Sequence, residues 1–185
     1  AQPMHAFDGD WLHGNRIIVR RAADGEVFKA LNDESYTLNS SNLVIADEKG
    51  AVALAGVIGG AGSAINDGTT KLVLESANFQ AANIRMTASA VKLRTDASMR
   101  FEKAQDPVNT VRALARAVAL LKEVAPGIRL VGGLVDSWQA APAAAPIELP
   151  MEWLVRKLGR PIGKDEVRQI LESLEFLVEE PRPDR

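Results

Sequence analysis

From residue 16 to residue 76 the chain repeats one pattern, a short apolar run rich in β-branched residues followed by a turn. The runs are Ile17–Val19, Val27–Phe28, Leu43–Ile45, Val52–Val57 and Leu72–Leu74, and Asp24–Gly25, Asn32–Asp33 and Lys49–Gly50 punctuate them. Runs this short and this often interrupted cannot make helices of ordinary length. They suit strands joined by hairpins or short crossovers. Asn, Asp and Gly fit the turns because they tolerate positive φ or bond their own backbone.

After Phe79 the spacing becomes helical. Ile84, Ala88 and Val91 share one face, and the charged stretch Arg94 to Lys103 follows. A longer helix is expected from Asp106, which can cap it. Pro107 suits its first turn, Val111, Leu114, Ala115, Val118 and Leu121 form its apolar stripe, and Pro126–Gly127 ends it. Residues 128–138 return to strand character. The stretch 140–146, only Ala and Pro, lacks core-forming side chains and reads as a linker. Beyond it a short strand (Ile147–Leu149) and two helices are expected, one from Pro150 to Leu158 stopped by Gly159 and one from Asp165 to Leu174. The expectation is an α+β fold, a mainly antiparallel or mixed β core with flanking helices, followed by a partial small helical domain. The domains fall at 1–139 and 147–185. A unit of about 40 residues is near the size at which a lone core stops sufficing.

Composition excludes several functions. With 22 Lys and Arg against 24 Asp and Glu, the net charge of -2 gives no general attraction for phosphate backbones, so any RNA contact must be local. Arg16, Arg20, Arg85 and Arg94 are candidates, although most such arginines simply solvate a surface. Cys is absent, which removes disulfides, thiolate catalysis and Cys-based zinc sites and fits a reducing cytosol. His5 and His13 are the only histidines and suggest no metal site. No stretch approaches the roughly 20 apolar residues of a membrane span, and no signal segment opens the chain. A soluble cytoplasmic protein without membrane contact is expected. The opening Ala1–Gln2–Pro3 and the ending Glu179–Arg185 read as cuts through a longer polypeptide.

Five blocks carry a resemblance: QPMHAFD (Gln2–Asp8), LVIAD (Leu43–Asp47), ALAGVIGG (Ala53–Gly60), LESANF (Leu74–Phe79) and LRTDASMRFEK (Leu93–Lys103). In this order they resemble the editing module of the bacterial-type phenylalanyl-tRNA synthetase beta subunit, over residues 1 to about 138. Residues 147–179 look like the start of the next module of that subunit, a small helical unit compared with DNA-binding folds. FEKAQDP at Phe101–Pro107 stands where FERGVDP is more usual, and LNDES at Leu31–Ser35 where LDGKE is common. The family module begins upstream of Gln2 with a Thr-Asn pair that lines the pocket. Without that pair, weakened catalysis is expected.

The resemblance implies a definite chemistry. Tyrosine is phenylalanine plus a hydroxyl, and an apolar pocket rejects an added hydroxyl by only about 10². A second, polar sieve must therefore recognise the phenol. An ionised carboxylate can do this by accepting a charge-assisted hydrogen bond, and Glu75 is the residue implied. Gly59 would let backbone approach the ligand, while Thr95 and Ala97 would line the pocket with small groups. His5 would orient the attacking water or hold the terminal ribose. Such hydrolysis needs no triad and no metal. The parent enzyme would attach phenylalanine to tRNA(Phe) with ATP and Mg2+, in a heterotetramer whose alpha subunit holds the charging site. No cofactor is expected on these residues themselves.

Each residue also has a plainer reading. Glu75 could be a strand-end surface carboxylate, Gly59–Gly60 a turn after a buried strand, Ala97 a packing position and His5 a structural hydrogen-bonding group. Asp96, Arg100 and Glu102 read as a salt-bridged network. A non-catalytic RNA-binding or subunit-interaction module is the alternative function, and an unrelated hydrolase using His5, Asp8 and Glu75 is a third idea.

Overall fold

The strands are β1 (His5–Asp8), β2 (Ile18–Arg21), β3 (Val27–Lys29), β4 (Ser35–Thr37), β5 (Leu43–Ala46), β6 (Ala51–Leu54), β7 (Ile58–Gly59) and β8 (Leu72–Glu75). The helices are α1 (Ala81–Ala90), α2 (Asp96–Phe101), α3 (Asn109–Val124), α4 (Met151–Leu158) and α5 (Lys164–Ser173). The structure is a computed structural model and describes residues 3–137 and 145–180. The chain divides into two compact units, Ala1–Val131 and Gly132–Arg185.

In the first unit β2, β5, β6 and β7 form a four-stranded sheet in that order, β3 pairs with β4, and β1 pairs with β8. Every pairing is antiparallel. The fold class is therefore the expected α+β, with an antiparallel core. The β5–β6 turn is built by Asp47, whose Oδ1 accepts from the backbone N–H of Lys49 at 2.8 Å and of Gly50 at 3.0 Å. In the β3–β4 turn Asp33 takes φ +65°, a conformation Asp tolerates better than most residues. Phe7, Phe28, Leu38, Val44, Leu54 and Ile84 are fully buried, so side chains from all three sheets and from α1 meet in one core.

α1 buries Ile84 and Ala88 on the face their spacing marks. α2 lies in the stretch read as a charged interruption. Thr95 caps it, accepting from Ser98 N at 3.1 Å, and the Ser98 hydroxyl accepts from Thr95 N at 2.9 Å. This reciprocal box explains how six residues hold a helix that propensity alone would leave marginal. α3 starts later than expected. Asp106 Oδ1 accepts from Val108 N, making a turn just ahead of the helix rather than its cap. α3 fully buries no residue. Of its expected apolar stripe Leu114, Val118 and Leu121 are half-buried and Val111 and Ala115 exposed, and Leu120 and Val124, off that stripe, are exposed as well.

Two strand expectations fail. Residues 128–137 and Ile147–Leu149 form neither strand nor helix. Their β-branched residues suit a strand, but no strand among the described residues pairs with them, and an unpaired strand leaves its backbone groups to water. The linker expected at 140–146 lies outside the described residues except for Ala145 and Pro146. In the second unit α4 ends at Gly159, which takes φ +69°, and α5 buries Val167. No helix among the described residues is long and apolar enough to cross a membrane.

Candidate functional site

The β1–β8 ladder sets His5 opposite Glu75. Directly opposed residues in an antiparallel pair project to the same face. The imidazole meets the Phe7 ring edge-on, with centroids 4.5 Å apart, and so sits against the core. On another side it packs over Gly59. A Cβ there would stand 2.8 Å from His5 Nε2, closer still to Cε1, and 2.9 Å from Leu31 Cδ1. The missing Cβ of Gly59 thus makes room for the histidine, a use of glycine that its turn-like sequence context does not reveal.

His5, Glu75, Gly59 and Ala97 border one cavity of about 130 Å³, with Met4 and Phe101 among its other walls. That volume is near the roughly 150 Å³ of an engineered apolar cavity that takes up benzene. The hollow therefore suits one aromatic ring. Its polar features are unusual: Glu75 Oε2 and His5 Nε2 are two of the three buried side-chain polar atoms without a hydrogen-bond partner among the described residues. Native structures rarely leave such groups unmatched unless a function uses them. Burial pushes the Glu75 carboxyl up to about 7 and lowers the His5 pKa, so near neutral pH the imidazole is neutral and the carboxyl titrates.

Thr95 stands outside the cavity wall. Its hydroxyl donates to Val57 O at 2.6 Å and accepts from Ser98 N, so both its capacities are used inside the protein. It fixes the start of α2 to the turn after β6, which places Ala97 at the cavity. Phe101, four residues on, reaches the same wall and also meets Phe79 edge-on at 4.9 Å. Gly56 takes φ +66° in that turn, and a Cβ on it would crowd Ile84 and Phe79 at 2.9 Å. Pro3, Met4 and Phe101 escaped sequence reasoning. Only Phe101 had a signal, its i+4 spacing from Ala97 on a helix that the sequence reading missed.

Asp8 does not join this group. It is buried, but its oxygens accept from Thr69 Oγ1 at 2.6 Å and Asp10 N at 3.0 Å. The expected Asp96–Arg100–Glu102 network is replaced by one pair, Arg94 with Glu102 at 2.6 Å. Among the described residues no group of three or more His, Cys, Asp or Glu could hold a metal ion.

Fold and cavity together define an α+β module with a ring-sized site bearing an unmatched carboxyl oxygen and an unmatched imidazole nitrogen. The chain belongs to the B3/4 domain family, whose model matches residues 1–126. It is 69% identical over 183 residues, 99% of its length, to the phenylalanine–tRNA ligase beta subunit of Solibacter usitatus. It is 41% identical over 94% of its length to the same subunit of Geobacter sulfurreducens, and 42% over 95% to that of Geobacillus kaustophilus. The chain spans about a quarter of the length of these relatives, 24% of the first and 22% of the other two.

Proposed function

We propose that the cavity is an editing site, which takes the end of tRNA(Phe) carrying tyrosine in error and hydrolyses the ester. The observation that supports this best is the unpartnered Glu75 Oε2, buried in a hollow the size of one aromatic ring. A phenol entering there donates to that oxygen. Phenylalanine offers no donor and leaves the carboxyl buried and unmatched, a mismatch that discriminates far more strongly than shape. The ionised carboxylate accepts the stronger, charge-assisted bond, so binding of tyrosine draws the proton off Glu75.

At the ester, water adds to the carbonyl carbon, the bond to the ribose oxygen breaks, and tyrosine leaves as the free acid while the ribose regains its hydroxyl. His5, kept neutral by burial, accepts the proton of the attacking water. Ala97 and Gly59 bound the pocket, and Thr95 acts at one remove by holding Val57 and the first turn of α2. We divide the chain functionally into this module at 1–139, a linker at 140–146 and the start of a small helical module at 147–185.

For the full-length protein we infer attachment of phenylalanine to tRNA(Phe) with ATP and Mg2+ in the cytoplasm, the charging site lying on a partner alpha subunit. Among the described residues no group of three or more His, Cys, Asp or Glu could hold that metal. A second reading, a non-catalytic interaction module, draws on the exposed apolar residues Val111, Leu120 and Val124 of α3.

The deciding experiment is release of tyrosine from tyrosyl-tRNA(Phe) by the chain and by Glu75→Ala, with phenylalanyl-tRNA(Phe) as control. Tyrosine-selective release, lowered roughly 10²-fold in the variant, is the expected result. RNA binding by the folded chain without any release would favour the interaction module instead.

A further inference from the structure

A second hollow, of about 320 Å³, shares no lining residue with the first. Trp11, His13, Glu26, Lys29, Asp47 and Lys49 are among its walls. Trp11 is 58% exposed, so a large flat apolar face is turned to solvent at the rim.

The two acids in this wall are already engaged. Glu26 accepts two bonds from the Arg20 guanidinium, each 2.8 Å, and Arg20 holds its carboxyl at about 2. Asp47 Oδ2 accepts from the backbone N–H of His13 and lies 2.9 Å from its ring Nδ1. Burial opposes the Asp47 charge, but the His13 bonds and those from Gly50 and Lys49 outweigh it and bring the carboxyl to about 2. Lys29 and Lys49 are exposed, and neither has an ion-pair partner within 4.0 Å among the described residues. With Nδ1 engaged by Asp47, the half-exposed imidazole of His13 has Nε2 left for a ligand.

We propose that this hollow is a docking site for unpaired RNA, one base lying on the Trp11 indole and flanking phosphates on Lys29 and Lys49. Each element matches one part of a nucleotide. Every base has a face that stacks on an aromatic ring, ammonium groups pair with phosphates, and a ring nitrogen of imidazole suits the ribose 2′-hydroxyl, which both donates and accepts. With Glu26 neutralised by Arg20, Lys29 and Lys49 outnumber the one remaining acid of the wall, Asp47, so the site is locally cationic on a chain of net charge -2. The inference rests on the editing reading in taking the RNA to be the one whose aminoacylated end enters the first cavity.

The test measures binding of a labelled six-nucleotide single-stranded RNA to the full chain by fluorescence anisotropy over a range of salt. Trp11→Ala is expected to weaken binding roughly 5- to 150-fold and Trp11→Phe to recover much of it. Replacing Lys29 and Lys49 together by Ala should lower the slope of log affinity against log salt by about 1.4. An oligomer that binds not at all, or equally well to wild type and Trp11→Ala, overturns the site. So does inorganic polyphosphate that competes as well as RNA at equal charge. Should Trp11→Ala fail to fold, Trp11→Phe and the lysine variant carry the decision through the retained binding and the altered slope. Tyrosine release separates the two readings. Trp11-dependent RNA binding without release sustains the site and removes the editing reading. Release with an unchanged KM in Trp11→Ala, together with unchanged RNA binding, does the opposite.

Discussion

At the scale of the residue, Glu75 carries a cost that the rest of the fold sustains. Its carboxyl sits in the cavity beside His5 without a donor for Oε2, and burial moves it from 4.5 to about 7. This makes stability depend on pH in a definite direction. Below about pH 4.5 the group is protonated in both folded and unfolded chains and has no effect. As pH rises towards 7 the unfolded chain ionises while the folded one holds its proton, so stability falls, and above 7 the loss is constant. Its size is on the order of 3 kcal/mol. Glu75→Gln abolishes this contribution, and urea unfolding at pH 4.5 and pH 8 should show the variant gaining on wild type at the higher pH. Equal pH dependence in both proteins would mean that Glu75 is not buried as described. Tyrosine selectivity should rise over the same interval, because the ionised carboxylate is the better phenol acceptor.

At the scale of the element, α2 shows how the cap of a short helix positions a site from outside the cavity wall. Thr95 caps it and ties it to Val57, and Ala97 in its first turn and Phe101 at its end reach the cavity. Thr95→Ala removes the cap and the bond to Val57 O, at a cost of about 1–2 kcal/mol. Tyrosine release should fall as well, and Thr95→Ser, which keeps the hydroxyl, should restore both. A variant with wild-type melting and wild-type release would show that α2 is held by other means. This helix also marks where sequence reading stopped. β2, β3, β5, β6 and β8 announce themselves through β-branched runs, and α1, α4 and α5 through apolar spacing. The strands HAFD, SYT and IG of β1, β4 and β7 are too short or too small-sided to do so. Residues 128–137 have the right composition but no partner, and a strand is made by its partner as much as by its own residues. The site shares this limit. His5 and Glu75 were visible singly, but their opposition is a pairing across 70 positions that local pattern does not encode.

At the scale of the whole molecule, buried apolar residues are distributed unevenly along the chain. Among the described residues all but one lie between Phe7 and Phe101, and the exception, Val167, belongs to the second unit. The matched B3/4 region, 1–126, contains the whole of the first group, and the cavity draws its walls from residues 3–101. Cooperative folding follows the core, because burial of apolar surface is the main term opposing chain entropy. A chain ended after Val131 should therefore keep its near-ultraviolet dichroism and melt within about 2 °C of the full chain's main transition. For a unit of this size a shift of about 5 °C corresponds to roughly 1 kcal/mol or more. A drop that large would mean that residues beyond 131 stabilise the first unit through contacts. Tyrosine release by the shortened chain completes the argument. An unchanged rate would locate the whole editing site in the first unit, whereas intact melting with lost release would show that later residues serve the substrate and not the fold.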